Sequence, residues 1–112
     1  MGDRANVIVV DGSEQVCLYT HWAGSELPQT LQAALIRGRE RWDDAQYLAR
    51  IIFCEMVRGC EMGLTGYGIS QTPGDGQDRI LYVDIASQSV SINRGAAMPF
   101  DAYVTMAVEW PG

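Results

Sequence analysis

Among the residue types that carry out chemistry, this chain has one histidine, His21, three cysteines, Cys17, Cys54 and Cys60, and an oddly placed carboxylate, Glu55. A single imidazole excludes any centre that needs two, such as most histidine-rich zinc sites. A nucleophile pair made of Cys17 and His21 fails on distance, because four residues along one strand separate them by ~13 Å. His21 therefore reads as a half-buried structural side chain beside Trp22. Three cysteines without close pairing fit neither a disulfide framework nor a zinc site, so free buried thiols are expected. Neither a metal nor a cofactor is expected.

Glu55 breaks the pattern of its own segment. On a helical wheel it falls among Leu48, Ile51, Ile52 and Gly59, inside an apolar stripe, where a carboxylate is costly unless satisfied. One reading is structural: Glu55 accepts from the backbone amides of the glycine-rich stretch that follows, or pairs with an arginine. The other makes it a general acid or base with a raised pKa, in a pocket that gathers His21, Trp22, Glu26, Arg50 and Tyr67. That pocket would belong to a small-molecule binder or a minor enzyme. The structural reading leaves no catalytic residue and a non-enzymatic protein.

Gly63-Leu64-Thr65-Gly66-Tyr67-Gly68 has the look of a phosphate-binding loop, but such loops follow a strand and open a helix. Here the helix comes first, so the glycines read as a connection that needs positive backbone angles. Arg37, Arg39 and Arg41 could gather an anion, yet cations at a helix C-terminus also complement its dipole, and Glu40, Asp43 and Asp44 balance them.

The elements that must position these groups follow from periodicity. Asn6 to Val10 is a β-branched run, Val16 to Trp22 alternates, and Asp11-Gly12-Ser13 between them supplies turn chemistry, giving a hairpin. Ser25 and Pro28 mark a helix start, and Leu27, Leu31, Ala34, Leu35 and Gly38 form one stripe to about Arg41. An aspartate of Asp43-Asp44 caps a second, more apolar helix from Ala45 to about Arg58, with Trp42 packing back on its first turn. The period then changes to two, and four strands are expected: Gly66 to Ser70, Arg79 to Ile85, Ser89 to Ile92 and Ala102 to Trp110. The expected fold is α+β: a mainly antiparallel sheet of about six strands, in the order ββααββββ, with both helices on one face. Residues 1–112 read as a single domain, since a chain of this length supports one core.

Fourteen carboxylates against eight arginines, with no lysine, give a net charge of −6, which disfavours nucleic-acid binding for want of a basic face. The same charge suits a partner with a basic surface, engaged through Asp43, Asp44, Asp75 and Asp78 with Trp42 and Tyr67 as exposed aromatic anchors. A homodimer stays open. No run approaches the ~18 apolar residues that a membrane span needs, and the opening Met1-Gly2-Asp3-Arg4 lacks a basic region followed by an apolar one, so a cytoplasmic protein is expected.

Three strings are distinctive: Leu18-Tyr19-Thr20-His21-Trp22-Ala23-Gly24-Ser25-Glu26-Leu27-Pro28; Arg41-Trp42-Asp43-Asp44 with Tyr47-Leu48-Ala49-Arg50-Ile51-Ile52-Phe53; and Thr65-Gly66-Tyr67-Gly68-Ile69-Ser70. Together they resemble a pattern in small proteins of unknown function from bacterial viruses and plasmids. The resemblance brings no catalytic residue. It implies a mobile genetic element as context, hence an inhibitor of a host defence protein, of which anti-CRISPR proteins are the best-known group.

Overall fold

The computed structural model describes residues 2–111; Met1 and Gly112 lie outside the described residues. The fold is α+β, a mostly antiparallel six-stranded sheet with two principal helices on one face. β1 (Ala5–Asp11) and β2 (Glu14–Thr20) form the hairpin, joined by the two-residue turn Gly12–Ser13. Gly12 takes φ 65° at the first central position, where a primed hairpin turn requires a positive angle.

α1 (Leu27–Arg37) carries Pro28 in its first turn and buries Leu27, Leu31, Ala34 and Leu35. Gly38 and a short 3₁₀ turn, Arg39–Arg41, end it earlier than the stripe suggested. α2 (Ala45–Met56) begins at Asp44, whose carboxylate accepts from the backbone N–H of Tyr47. It buries Leu48, Ile52 and Met56 against the sheet. Ser25, expected at the helix start, instead donates to Asp3 from its hydroxyl and its backbone amide.

β3 (Tyr67–Ser70), β4 (Ile80–Asp84), β5 (Ser89–Ile92) and β6 (Met98–Pro99) complete the sheet in the order β3-β2-β1-β4-β5-β6. Only β1 and β4 run parallel. Ala5, Val7, Val9, Leu18, Leu81, Val83 and Val90 face the helices and share one buried cluster with them. On the opposite face a smaller cluster, Ile8, Cys17 and Ile80, lies near the loop that carries the chain from β3 to β4. Asn6 ties that loop down. Fully buried, it donates to the carbonyls of Gly74 and Asp75 and accepts from the Gly74 amide at 3.0 Å.

The expected strand from Ala102 to Trp110 is not one. The edge position is taken by Met98–Pro99, after which α3 (Phe100–Tyr103) turns the chain onto the helix layer. Tyr103, Val104 and Val108 are buried there, so the apolar alternation is real but serves packing. The carbonyls of the segment are satisfied by side chains rather than a ladder: Gln32 donates to Tyr103 and Met106, and Gln29 to Val108 at 2.6 Å. Tyr103 Oη donates to the Pro28 carbonyl at 2.8 Å, and burial raises the pKa of its phenol. Among the described residues no helix is long and apolar enough to cross a membrane.

Candidate functional site

The direction of β1 separates the molecule into two ends. Asn6, at its start, anchors the loop carrying Asp75, whereas Asp11, at its finish, lies beside Ala45 at the start of α2. Five residues of strand separate the two, ~17 Å. The residues expected to form one binding surface are divided between these ends. Trp42, Asp43 and Asp44 lie at the α2 start, while Tyr67, Asp75 and Asp78 lie near the β1 start.

Nor are the two aromatics free anchors. Trp42 is half-buried, packed edge-on against Phe100 at 5.2 Å with its Nε1 donating to the Leu35 carbonyl. Tyr67 is half-buried against the main core and meets Trp22 edge-on. The exposed large apolar side chains are others, among them Trp22, Met62, Leu64 and Ile69. Trp22 lies directly over Gly66, whose φ is 96° and where any Cβ would run into the indole.

The residues of the alternative pocket do not converge on one cavity either. His21 Nδ1 accepts from Arg4 Nε at 3.3 Å and lies 3.0 Å from Tyr19 Oη. Because Arg4 can only donate, that nitrogen serves as the acceptor in this contact. Glu55, its side chain 14% exposed, accepts from Arg37 at 3.0 Å and from Arg58 at 2.9 Å. The Arg58 hydrogen bonds, joined by those from Arg37, hold its carboxyl below the ordinary range against the opposing effect of burial. A general acid would need the opposite shift. Glu26 is exposed beside the first turn of α1, and Arg50 reaches only the Cys54 sulfur, at 4.0 Å.

The three arginines near the end of α1 also diverge: Arg37 goes to Glu55, Arg39 lies over Trp42 at 5.0 Å, and Arg41 over Tyr47 at 4.8 Å. Of the cysteines only Cys17 is buried; Cys54 and Cys60 are exposed, correcting the expectation of buried thiols. Cys54 sits beside Phe53 at the open edge between α2 and β3, and Cys60 in the turn beyond α2, where no core covers them. Among the described residues no group of three or more histidine, cysteine or acidic side chains is placed to hold a metal ion.

What does gather is negative charge where β1 ends. Asp11 and Glu14 stand directly opposite each other across the hairpin, a like-charged pair in a position where such pairs destabilise a sheet. Asp43 and Asp44 precede Ala45 in the same region, whereas Asp84, in register with Val10, projects from the opposite face of the sheet, where its carboxylate accepts from the Ser87 amide. Among the described residues none of these five carboxylates is in a salt bridge. The four ion pairs lie elsewhere, as Arg4–Asp75, Arg79–Asp3 and the Arg37–Glu55–Arg58 set. Sequence reasoning found Asp43 and Asp44 but read Asp11 only as turn chemistry and passed over Glu14. The signal that could have found them was the two acids flanking a two-residue turn, which puts them face to face.

Asp11 and Glu14 also line a shallow groove of ≈ 240 Å³, with Val9, Val16, Ala45 and Ala49 as its apolar walls and Gln15 and Gln46 beside them. No protein-family model, curated protein or solved structure matches this chain.

Proposed function

We propose that this chain is a non-enzymatic protein-binding module of a mobile genetic element, an inhibitor of a host defence protein, and that it engages a basic surface of that protein. The observation that carries the reading is the group of Asp11, Glu14, Asp43 and Asp44, left without ion pairs among the described residues where β1 ends and α2 begins. Uncompensated like charges cost stability and solvate well, so what they offer is a long-range field that steers a basic partner and fixes its orientation. The dispersal of His21, Glu26, Arg50 and Glu55 into separate contacts gives no comparable support to a small-molecule pocket.

The test is capture of partners from bacterial host lysate by three tagged forms: the native chain, Glu14→Lys with Asp43→Lys, and Asp75→Lys with Asp78→Lys. A partner held by the native chain and the Asp75/Asp78 form, lost from the Glu14/Asp43 form and weakened by salt, supports the reading. Equal capture by all three forms at low salt overturns it.

A further inference from the structure

The groove at the acidic end does not stop at Ala49. Val16 and Ala49 also line a second stretch of ≈ 240 Å³, continued by Leu18, Phe53 and Ile69 and flanked by Arg50. Because the two stretches share Val16 and Ala49, they form one largely apolar channel between α2 and the β2–β3 side of the sheet, with Gln15 and Gln46 near its acidic end and Cys54 beside Phe53. Ala45 and Ala49, one turn apart on α2, keep it open, and Ile69 in its wall is 62% exposed. From Ala45 to Phe53 the helix advances ~12 Å, the length of about four residues of extended chain.

Its two ends differ in charge. Asp11 and Glu14 form the mouth with no arginine to balance them; at the other end Arg50 has no carboxylate partner among the described residues. The α2 N-terminus beside the mouth offsets part of the Asp11–Glu14 repulsion, but it supplies no counter-charge. β3 pairs with β2 only from Cys17 to Thr20; past it the Gln71 carbonyl accepts from the Gln15 side chain, and the backbone of Glu14 to Val16 has no strand partner on that side. An extended segment lying there finds main-chain donors and acceptors, as in strand-addition complexes.

Resting on the protein-binding reading above, we propose that the channel receives an extended segment of the partner. That segment places an arginine or lysine at the Asp11–Glu14 mouth, with its aliphatic stem on Val9, Val16 and Ala45, and an aliphatic side chain between Phe53 and Ile69. A long basic side chain matches a mouth that is apolar below and acidic above, because its methylenes and its head have opposite solvation needs. The remainder of the segment is neutral or acidic where it passes Arg50.

Three capped, fluorescently labelled heptapeptides test this by anisotropy at low ionic strength. The first has two arginines followed by alternating leucine and threonine, the second has glutamates in place of the arginines, and the third has serines in place of the leucines. The native chain should bind the first at least about tenfold tighter than either of the others, a difference of ~1.4 kcal/mol. Asp11→Asn with Glu14→Gln, and separately Ala49→Phe, should each remove that preference, while Asp75→Asn with Asp78→Asn should not. If Ala49→Phe does not fold, Ala45→Leu blocks the mouth in its place, with far-UV circular dichroism as the check. Arginine peptides that bind alike with leucine or serine, and ignore Ala49→Phe, overturn the channel while leaving the acidic surface as a binding face. Equal binding of all three peptides by the native chain also overturns it; the partner capture described above then decides the protein-binding reading by itself.

Discussion

Where β1 begins, side chains converge on backbone and on each other. Asn6 holds the Gly74–Asp75 loop, Asp3 receives Ser25 and Arg79, and Trp110 Nε1 donates to the Gly24 carbonyl at 2.7 Å. Where β1 ends, Asp11, Glu14, Asp43 and Asp44 stand without a cation among the described residues, and the nearest arginines in sequence, Arg39 and Arg41, lie over aromatic rings. Both ends belong to the same strands, so the difference is not one of secondary structure. It shows that polar residues at one end are used to hold loops, and that at the other, apart from Asp44, which caps α2, the carboxylates are left available, Asp11 and Glu14 at some cost in stability.

The largest effect is expected from breaking the anchored end. Asn6→Ala removes the partner of two carbonyls and one amide in a fully buried position, at a cost of about 1–3 kcal/mol. Urea unfolding measures the loss, and hydrogen exchange should rise first in residues 72–79. A smaller loss, about 1 kcal/mol, is expected for Asp44→Ala, which removes the cap of α2 at the acidic end; its sign shows that Asp44 stabilises the fold while Asp11 and Glu14 do not.

The comparison is sharpened by pH. Hydrogen bonds from Ser25, with Arg79, hold the Asp3 carboxyl below its ordinary value of 3.8, and those from Arg58, with Arg37, hold Glu55 below 4.5. Groups depressed in the folded state stabilise it fully above those ordinary values and lose the contribution as pH falls through the folded ones. Thermal melts between neutral pH and pH 2 should therefore show an acid limb that Glu55→Gln makes shallower, with a neutral-pH cost under about 1 kcal/mol because its arginine partners are exposed. Asp11→Asn with Glu14→Gln is expected to act in the other direction, with a gain of about 0.2–1 kcal/mol from relieved cross-strand repulsion. A marked loss instead would mean that these two carboxylates hold the structure together, and the contrast between the ends would disappear.

Much of the fold was legible from short-range chemistry. The turn at Asp11-Gly12-Ser13, the Asp44 cap and the helical stripes each depend on residues within a few positions of one another; all three appear, with the helices ending two to four residues sooner than the spacing suggested. The C-terminal segment misled because an apolar alternation records burial on one side without saying what buries it. Here it was α1, with Gln29 and Gln32 meeting the carbonyls that a neighbouring strand would have met. The candidate site was legible in part: Asp43 and Asp44 were singled out, but so were Asp75 and Asp78, which stand at the other end.

Local sequence, then, determined the α+β class, the order of the first seven elements and the excess of carboxylates, because periodicity, turn propensity and charge are properties of neighbouring residues. Only the tertiary structure decided that β4 lies parallel beside β1, that Glu55 is claimed by Arg37 eighteen positions earlier as well as by Arg58, and that Asp11 and Glu14 open onto a channel beside α2. Those facts depend on which distant segments meet, and that is set by how the apolar faces pack together rather than by any one segment.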